Sequence, residues 1–250
     1  MQIDILTLFP EMFEGPFASS IIFRAAERGI VTIRIHNLRD WTHDRHRTVD
    51  DMPFGGGPGM ILKPAPIFEA LGDIGTPGAE VVLFTPNGEL LRQSTVQDLA
   101  TRDHIVLICG HYEGVDERVA DHLATRAVSI GDYVLSGGEL PAMVLTDAVV
   151  RLLPGALGCA DSTREEAFSE GLLEYPQYTR PAVYRGIAVP EIVRSGNHQE
   201  LARWKRRSAL QRTLDRRPDL LTAETHEEIR RLGLASPDPN DATTSGKTEN

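Results

Sequence analysis

The 250-residue sequence predicts an α/β fold with a mainly parallel sheet, followed by a small all-helical C-terminal domain. Three observations predict it. Nearly continuous apolar runs of strand length recur as far as Ile130, as strands covered on both faces require. Helical stretches alternate with those runs. Past residue 197 only helical periodicity remains, on a strongly basic segment.

In order along the chain, residues 3–9 form an apolar run broken only by Asp4 and Thr7, a strand covered on both sides. Residues 19–28 read as a helix stopped by Gly29. Val31, Ile33 and Ile35 then alternate with Thr32, Arg34 and His36, the period of a strand. Further strands are expected at 80–85, 104–109 and 126–130. Helices are expected at 65–71, at 95–100 behind a Ser94/Gln97 capping box, and at 115–123. Pro141, at a first-turn position, opens a helix whose buried face should carry Met143, Val144, Ala148 and Leu152. It ends before Pro154-Gly155. Residues 156–196 are rich in Gly, Pro, Ser and Glu without a sustained period, which predicts a long linker with anchored pieces. Asn197 and Glu200 pair as N-cap and N3 of the basic helix, and a short helix follows at 223–232. The expected domains are therefore 1–160, a linker at 161–196, a helical domain at 197–234 and a disordered tail at 235–250.

Composition narrows the function. Lys and Arg number 26 against 36 Asp and Glu, a formal net charge of −10, which excludes a generic basic coat for nucleic acid. The start, MQIDILTLFPEMF, lacks the basic flank of a secretory signal, and no apolar run approaches a membrane span. Cys109 and Cys159 have no C-x-x-C partner. A reduced, cytoplasmic setting is expected, with no membrane partner.

Residues 39–60, RDWTHDRHRTVDDMPFGGGPGM, concentrate Arg, His, Asp and Gly. A lone H-x-x-H at His43 and His46 is a weak metal signal, and the glycine run lacks the Lys-Ser/Thr of a phosphate-binding P-loop. The residue types fit either a surface loop or a lid whose Arg45 and Arg47 reach RNA phosphates. Three Gly-bearing loops, TPNG, GHYEG and IGDYVLSGGE, each follow an expected strand. Such loops are where parallel sheets place ligands, because unpaired backbone groups converge there. No G-x-G-x-x-G follows the first strand, so an ordinary dinucleotide site is disfavoured.

Together GHYEGVDERV, SIGDYVLSGGELPAMVLTDAVVRLLPG, GLLEYPQYTRP, SGNH and HRTVDDMPFGGGPGM closely resemble the bacterial tRNA (guanine-N1)-methyltransferases, the TrmD family of the SPOUT superfamily. The resemblance runs in order from about residue 1 to residue 221. It implies a deep trefoil knot holding S-adenosylmethionine, made from the loops after residues 81–85, 105–109 and 128–130. It implies a homodimer whose active sites are each shared between subunits, and a tRNA substrate methylated on N1 of the guanine immediately 3′ of the anticodon.

By the same resemblance, Pro86, Gly110, Ile130, Gly131, Asp132, Tyr133, Val134, Leu135 and Gly138 cradle the methyl donor, and Glu113 lies near its sulfonium end. Arg151 matches the family arginine that faces guanine O6. The family general base is an aspartate, and Glu166 stands at its position here. Glutamate takes the same proton on a side chain one methylene longer, so the alternative reading is a knotted tRNA-binding protein with reduced catalysis. The family reaction is linked to magnesium (Mg2+), and no cluster of ligands in the sequence places that ion. Residues 203–217 carry seven Lys or Arg against one Asp. On a helical wheel Arg203, Arg206 and Arg207 share one side opposite Leu201 and Trp204, so Arg203 and Arg207 are expected on a tRNA-facing surface.

Overall fold

In the computed structural model, which describes residues 1–157, 167–168 and 171–235, the chain divides into two compact units, Met1–Ala160 and Asp161–Asn250. The first unit runs β1 (Gln2–Thr7), α1 (Glu14–Phe17), α2 (Ser20–Glu27), β2 (Thr32–Asn37), β3 (Asp50–Asp51), β4 (Ile61–Leu62), α3 (Pro64–Ile74), β5 (Glu80–Leu90), α4 (Gln93–Leu99), β6 (His104–Cys109), α5 (Glu117–His122), β7 (Arg126–Ser129) and α6 (Glu139–Val150). Five strands form one sheet in the order β2-β1-β6-β5-β7, with every neighbouring pair parallel. β3 and β4 make a separate two-residue antiparallel ladder.

The apolar runs follow from what covers the sheet. Along β6, Ile105, Leu107 and Cys109 enter a core shared with Ile22 of α2, Val96 of α4 and Leu145 of α6. Val106 and Ile108 enter the opposite core, with Ile67 of α3 and Val119 of α5. A strand clothed on both faces has no solvent side for polar residues to mark. Asp4 is the exception within β1, fully buried on the second side. Its carboxylate accepts hydrogen bonds from Gln2 Nε2 (2.6 Å), His36 Nε2 (2.6 Å) and His104 Nε2 (2.7 Å). Burial alone pushes this carboxyl up, and the bonds from Gln2, His36 and His104 outweigh it, leaving Asp4 below its ordinary value.

Three local expectations are corrected. The chain reaches α4 from the end of β5 through residues 91 and 92 alone, so the helix starts at Gln93 with Arg92 as an N-cap that makes no side-chain bond. Ser94 is thus inside the helix and no capping box forms. The helix expected to open at Pro141 begins at Glu139, with Pro141 third, where the missing N–H has no intrahelical acceptor to lose. Its buried face is Ala142, Leu145, Thr146, Val149 and Val150, while Val144 is 48% exposed and Met143, Ala148 and Leu152 are only partly covered. Both sides of α6 are apolar, so period alone could not choose between them; packing against the sheet does. Finally, Thr85-Pro86-Asn87-Gly88, expected as a loop after its strand, is spanned by β5. Phe84 and Glu89 both pair with Val128, and the four residues between them are absorbed as a bulge.

The second unit contains the β8 (Val183–Tyr184) and β9 (Ile187–Ala188) hairpin, then α7 (Glu191–Arg194), α8 (His198–Arg216) and α9 (Ala223–Arg231). Asn197 caps α8 by accepting from the Glu200 backbone N–H at 3.2 Å, as the sequence predicts. Leu172, Ala209, Leu210 and Ile229 form this unit's small core. Residues 173–178 are tied to α8: Leu173 N–H donates to Thr213 Oγ1 at 2.9 Å, and Tyr175 and Tyr178 stand 6.4 and 6.5 Å from the Trp204 ring. Among the described residues no helix is long and apolar enough to cross a membrane.

Candidate functional site

The bulged middle of β5 and the loops that follow β6 and β7 enclose a cavity of about 450 Å³ in the first unit. Its lining comes from residues 83–87, from 110–115 and from 127–131 with 133–138, together with Glu117, Ala120 and Pro141. Of the ten residues expected to hold a donor, Pro86, Gly110, Glu113, Ile130, Gly131, Tyr133, Val134, Leu135 and Gly138 line it. Asp132 is exposed and is not part of the lining.

Backbone crowding explains the glycines. A Cβ on Gly138 would stand 2.7 Å from Cys109 Cα and 3.0 Å from Gly110 N, and Gly138 N–H donates to Gly110 O at 2.8 Å. Its φ of −82° suits any residue, so close approach is what requires glycine here. Gly131 has φ +157°, and the Tyr133 ring folds back against it while Tyr133 Oη donates to Ile130 O at 3.2 Å. These contacts shape the loop over the cavity.

The return limb of the glycine-rich segment 55–59 is stitched to the cavity's edge. Glu113 N–H donates to Met60 O and Leu62 N–H to Gly114 O, each at 3.0 Å, and a Cβ on Gly59 would collide with the Glu113 side chain. Upstream, Asp44 accepts from His46 N–H (3.1 Å), Thr48 N–H (2.9 Å) and Thr48 Oγ1 (2.7 Å), which lowers its carboxyl below the ordinary range, the Thr48 bonds foremost. His43 Nε2 meets Glu69 at 2.7 Å. Arg47, with φ +53°, pairs with Asp40 at 2.9 Å, whereas Arg45 is exposed on the same turn. Among the described residues no three His, Cys, Asp or Glu side chains cluster as a metal site.

Two residues that sequence reasoning did not single out belong here, His111 in the cavity's lining and Glu139 at the start of α6. Glu139 is 2% exposed, and its Oε1 accepts from Thr7 Oγ1 at 2.8 Å. His111 packs its ring 4.9 Å from both Phe9 and Tyr112, and its Nδ1 is buried with no hydrogen-bond partner. An unsatisfied buried polar atom costs about 1–3 kcal/mol, so such an atom calls for a reason. Nothing in the sequence around either residue signals burial, because both sit among loop glycines. Beside them, burial and then the Glu139 charge push the Cys109 thiol well up, which keeps it unreactive.

Arg151 lies outside the donor cavity. It is the C-cap of α6, in a shallow cleft with Pro16, Ile22, Gln93, Met143, Val144, Asp147 and Ala148. Glu166 lies outside the described residues. In the second unit, Arg206 is committed to Glu228 through bonds of 3.1 and 2.7 Å, and Arg207 Nη1 donates to Leu232 O at 3.1 Å. The wheel's basic side is thus partly the seam that holds α9 on α8. Arg203 and Arg216 are without an ion pair among the described residues.

The profile of the family described as tRNA (Guanine-1)-methyltransferase TrmD matches residues 1–223. The chain belongs to this family. Among its relatives, the tRNA (guanine-N(1)-)-methyltransferase of Dictyoglomus turgidum is 54% identical over 93% of this chain and 95% of its own length. The proteins of the same description from Chloroflexus aggregans and Geobacillus kaustophilus are 57% and 56% identical, each over 88% of this chain and over 88% and 91% of their own lengths. The TrmD match spans the whole sheet, the cavity and α8, and it ends at the first residue of α9.

Proposed function

We propose that this TrmD-family methyltransferase binds S-adenosylmethionine in the cavity between the β5 bulge and the loops after β6 and β7 and methylates N1 of the guanine immediately 3′ of the anticodon in tRNA. The observation that carries the reading is the cavity itself, in which nine of the ten expected donor residues converge from the β5 bulge and the loops after β6 and β7. Its size lies in the range of small-molecule sites. Its walls fit the donor's parts: Pro86, Ile130 and Leu135 are apolar surfaces for a flat base, and the loop glycines expose backbone groups for its edges and the ribose.

S-adenosylmethionine, when bound, supplies an electrophilic methyl carbon. The protein must then handle the proton on guanine N1 and the charge that grows on O6. Glu166 takes the proton, and Arg151 sets its guanidinium against O6. A positioned general base contributes roughly 10²- to 10⁴-fold, and fixed charge at a developing anion about 10²- to 10³-fold. Magnesium enters this reading only through the family; no residue is assigned to it. The enzyme acts in the cytoplasm on tRNA.

We further propose that the chain is knotted through these loops. The crowding of Gly88 against the Ala127 and Val128 backbone, and of Gly138 against Cys109, supports it, since threaded segments must cross at backbone contact. The protein acts as a homodimer with each active site shared between subunits. The exposed apolar residues of α6, Leu140 and Val144, support an interface on that helix, next to Arg151. Separate from these, Arg203 and Arg207 on α8, with Arg45 and Arg47 of the first unit, supply cations for tRNA phosphates.

The test is transfer of labelled methyl from S-adenosylmethionine to unmodified tRNA, with a substrate carrying adenine in place of the target guanine as control. Label in the first and not the second is expected. Binding of both ligands without transfer would instead support the tRNA-binding alternative.

A further inference from the structure

Two polar groups, one on the loop after β6 and one at the start of α6, border Gly137. A Cβ built on it would lie 2.2 Å from Glu139 Oε2 and 2.7 Å from His111 Nδ1, so both atoms occupy the space a side chain there would need. His111 and Gly137 also form an antiparallel bridge. Yet His111 Nδ1 is buried without a partner, while Glu139 has its other oxygen, Oε1, anchored by Thr7 of β1. A carboxylate fixed at one oxygen and an unsatisfied ring nitrogen beside the other are one hydrogen bond short of a continuous link from β1 through α6 to the 110–114 loop.

Resting on the donor-binding reading above, we infer that His111 is a positioning residue for the methyl donor: when the cavity fills, His111 Nδ1–H donates to Glu139, locking the 110–114 loop to the 131–138 loop. The two loops supply about half of the cavity's lining residues, and their relative position sets its width. Thr7 fixes the acceptor, since its hydroxyl donates to Glu139 Oε1 and its Oγ1 in turn accepts from Phe9 N–H at 2.9 Å. Phe9 also packs on the His111 ring, so β1 braces both partners. The groups facing the pair are therefore a rigid strand end and a helix start, and the movable part is the His111 ring on its loop. His111 touches no reacting atom in this scheme; it acts through the loop it holds.

The test compares S-adenosylmethionine binding by calorimetry in the wild type, His111→Asn and His111→Phe. Asparagine places an amide N–H where Nδ1 stands; phenylalanine keeps the ring and removes the donor. His111→Phe should bind the donor about 5- to 30-fold more weakly, the effect of one lost net hydrogen bond, with His111→Asn recovering most of it. Turnover at saturating donor should change little, so the loss appears in the donor KM rather than in kcat. Equal affinity in all three proteins, or an equal loss in both variants, overturns the inference. A wild type that binds no donor instead overturns the donor-site reading itself. Should His111→Phe fail to fold, ¹⁵N-histidine NMR of the wild type decides, the His111 resonance being the one missing in His111→Asn. Donor addition should shift Nδ1 to a protonated, hydrogen-bonded state, and an unchanged Nδ1 overturns the inference.

Discussion

At the scale of single residues, buried polar groups separate chemistry from architecture. Asp4 is a structural carboxylate at the amino end of the sheet, held by three side-chain donors. Its folded pKa lies below the unfolded value of about 3.9, so its stabilisation is present above that pH and is lost as pH falls through the folded value. Urea unfolding from pH 6 down to pH 2 should therefore show a steeper loss of stability in the wild type than in Asp4→Asn, and parallel curves would count against the network. In the proposed function Arg151 and Glu166 carry the reaction. Arg151→Ala should lower kcat on tRNA by about 10²- to 10³-fold while leaving calorimetric donor affinity nearly unchanged. For the general base, full turnover in Glu166→Gln together with its loss in Glu165→Gln would move that role to Glu165. The sequence disclosed these residue types but not their surroundings. Asp4 looked like a blemish in an apolar run, and only the adjacency of β1, β2 and β6 supplies its partners.

Individual elements were legible wherever one face decided the outcome. The β6 run and the Asn197 cap were readable because each is a local pattern, an apolar stretch in one case and a side-chain acceptor three residues ahead of its donor in the other. α6 was misread because it is apolar all round, and the sheet buries Leu145 and Val149 while leaving Val144 outside. That difference has a measurable consequence. Val144→Glu on the outer face should leave the thermal midpoint within a few degrees of the wild type and shift sedimentation toward monomer, whereas Leu145→Ala should cost about 2–5 kcal/mol of stability. Gly138→Ala tests the other local constraint. With an allowed φ and backbone atoms at 2.7 and 3.0 Å, the added methyl must push the loops apart, costing about 1–3 kcal/mol and most of the donor binding.

Across the whole molecule, the net charge of −10 and the basic run at 203–217 coexist because seven of the chain's 26 Lys and Arg are gathered in that one stretch against a single Asp. The structure divides that run further. Arg206 and Arg207 tie α9 to α8, so Arg206→Ala should loosen the second unit, seen as faster amide exchange in α9. Among the described residues Arg203 and Arg216 have no such tie, and the proposed function gives them to tRNA phosphates. Arg203→Ala with Arg216→Ala should weaken tRNA binding and reduce the slope of log affinity against log salt by about 2. An unchanged slope would remove both from the tRNA surface.

By itself the sequence determined the strand and helix alternation, two of the three expected ligand loops, the family and the residue types of the site. These are written in local periods and in motifs whose spacing is fixed along the chain. Tertiary structure alone decided which side of α6 is buried, which arginines of α8 are already engaged, that residues 85–88 bulge from a continuing strand, and that His111 and Glu139 both border Gly137. Each of those is a competition between partners far apart in sequence. Its outcome depends on which surfaces and donors the fold brings within a few ångströms, and no local pattern carries that information.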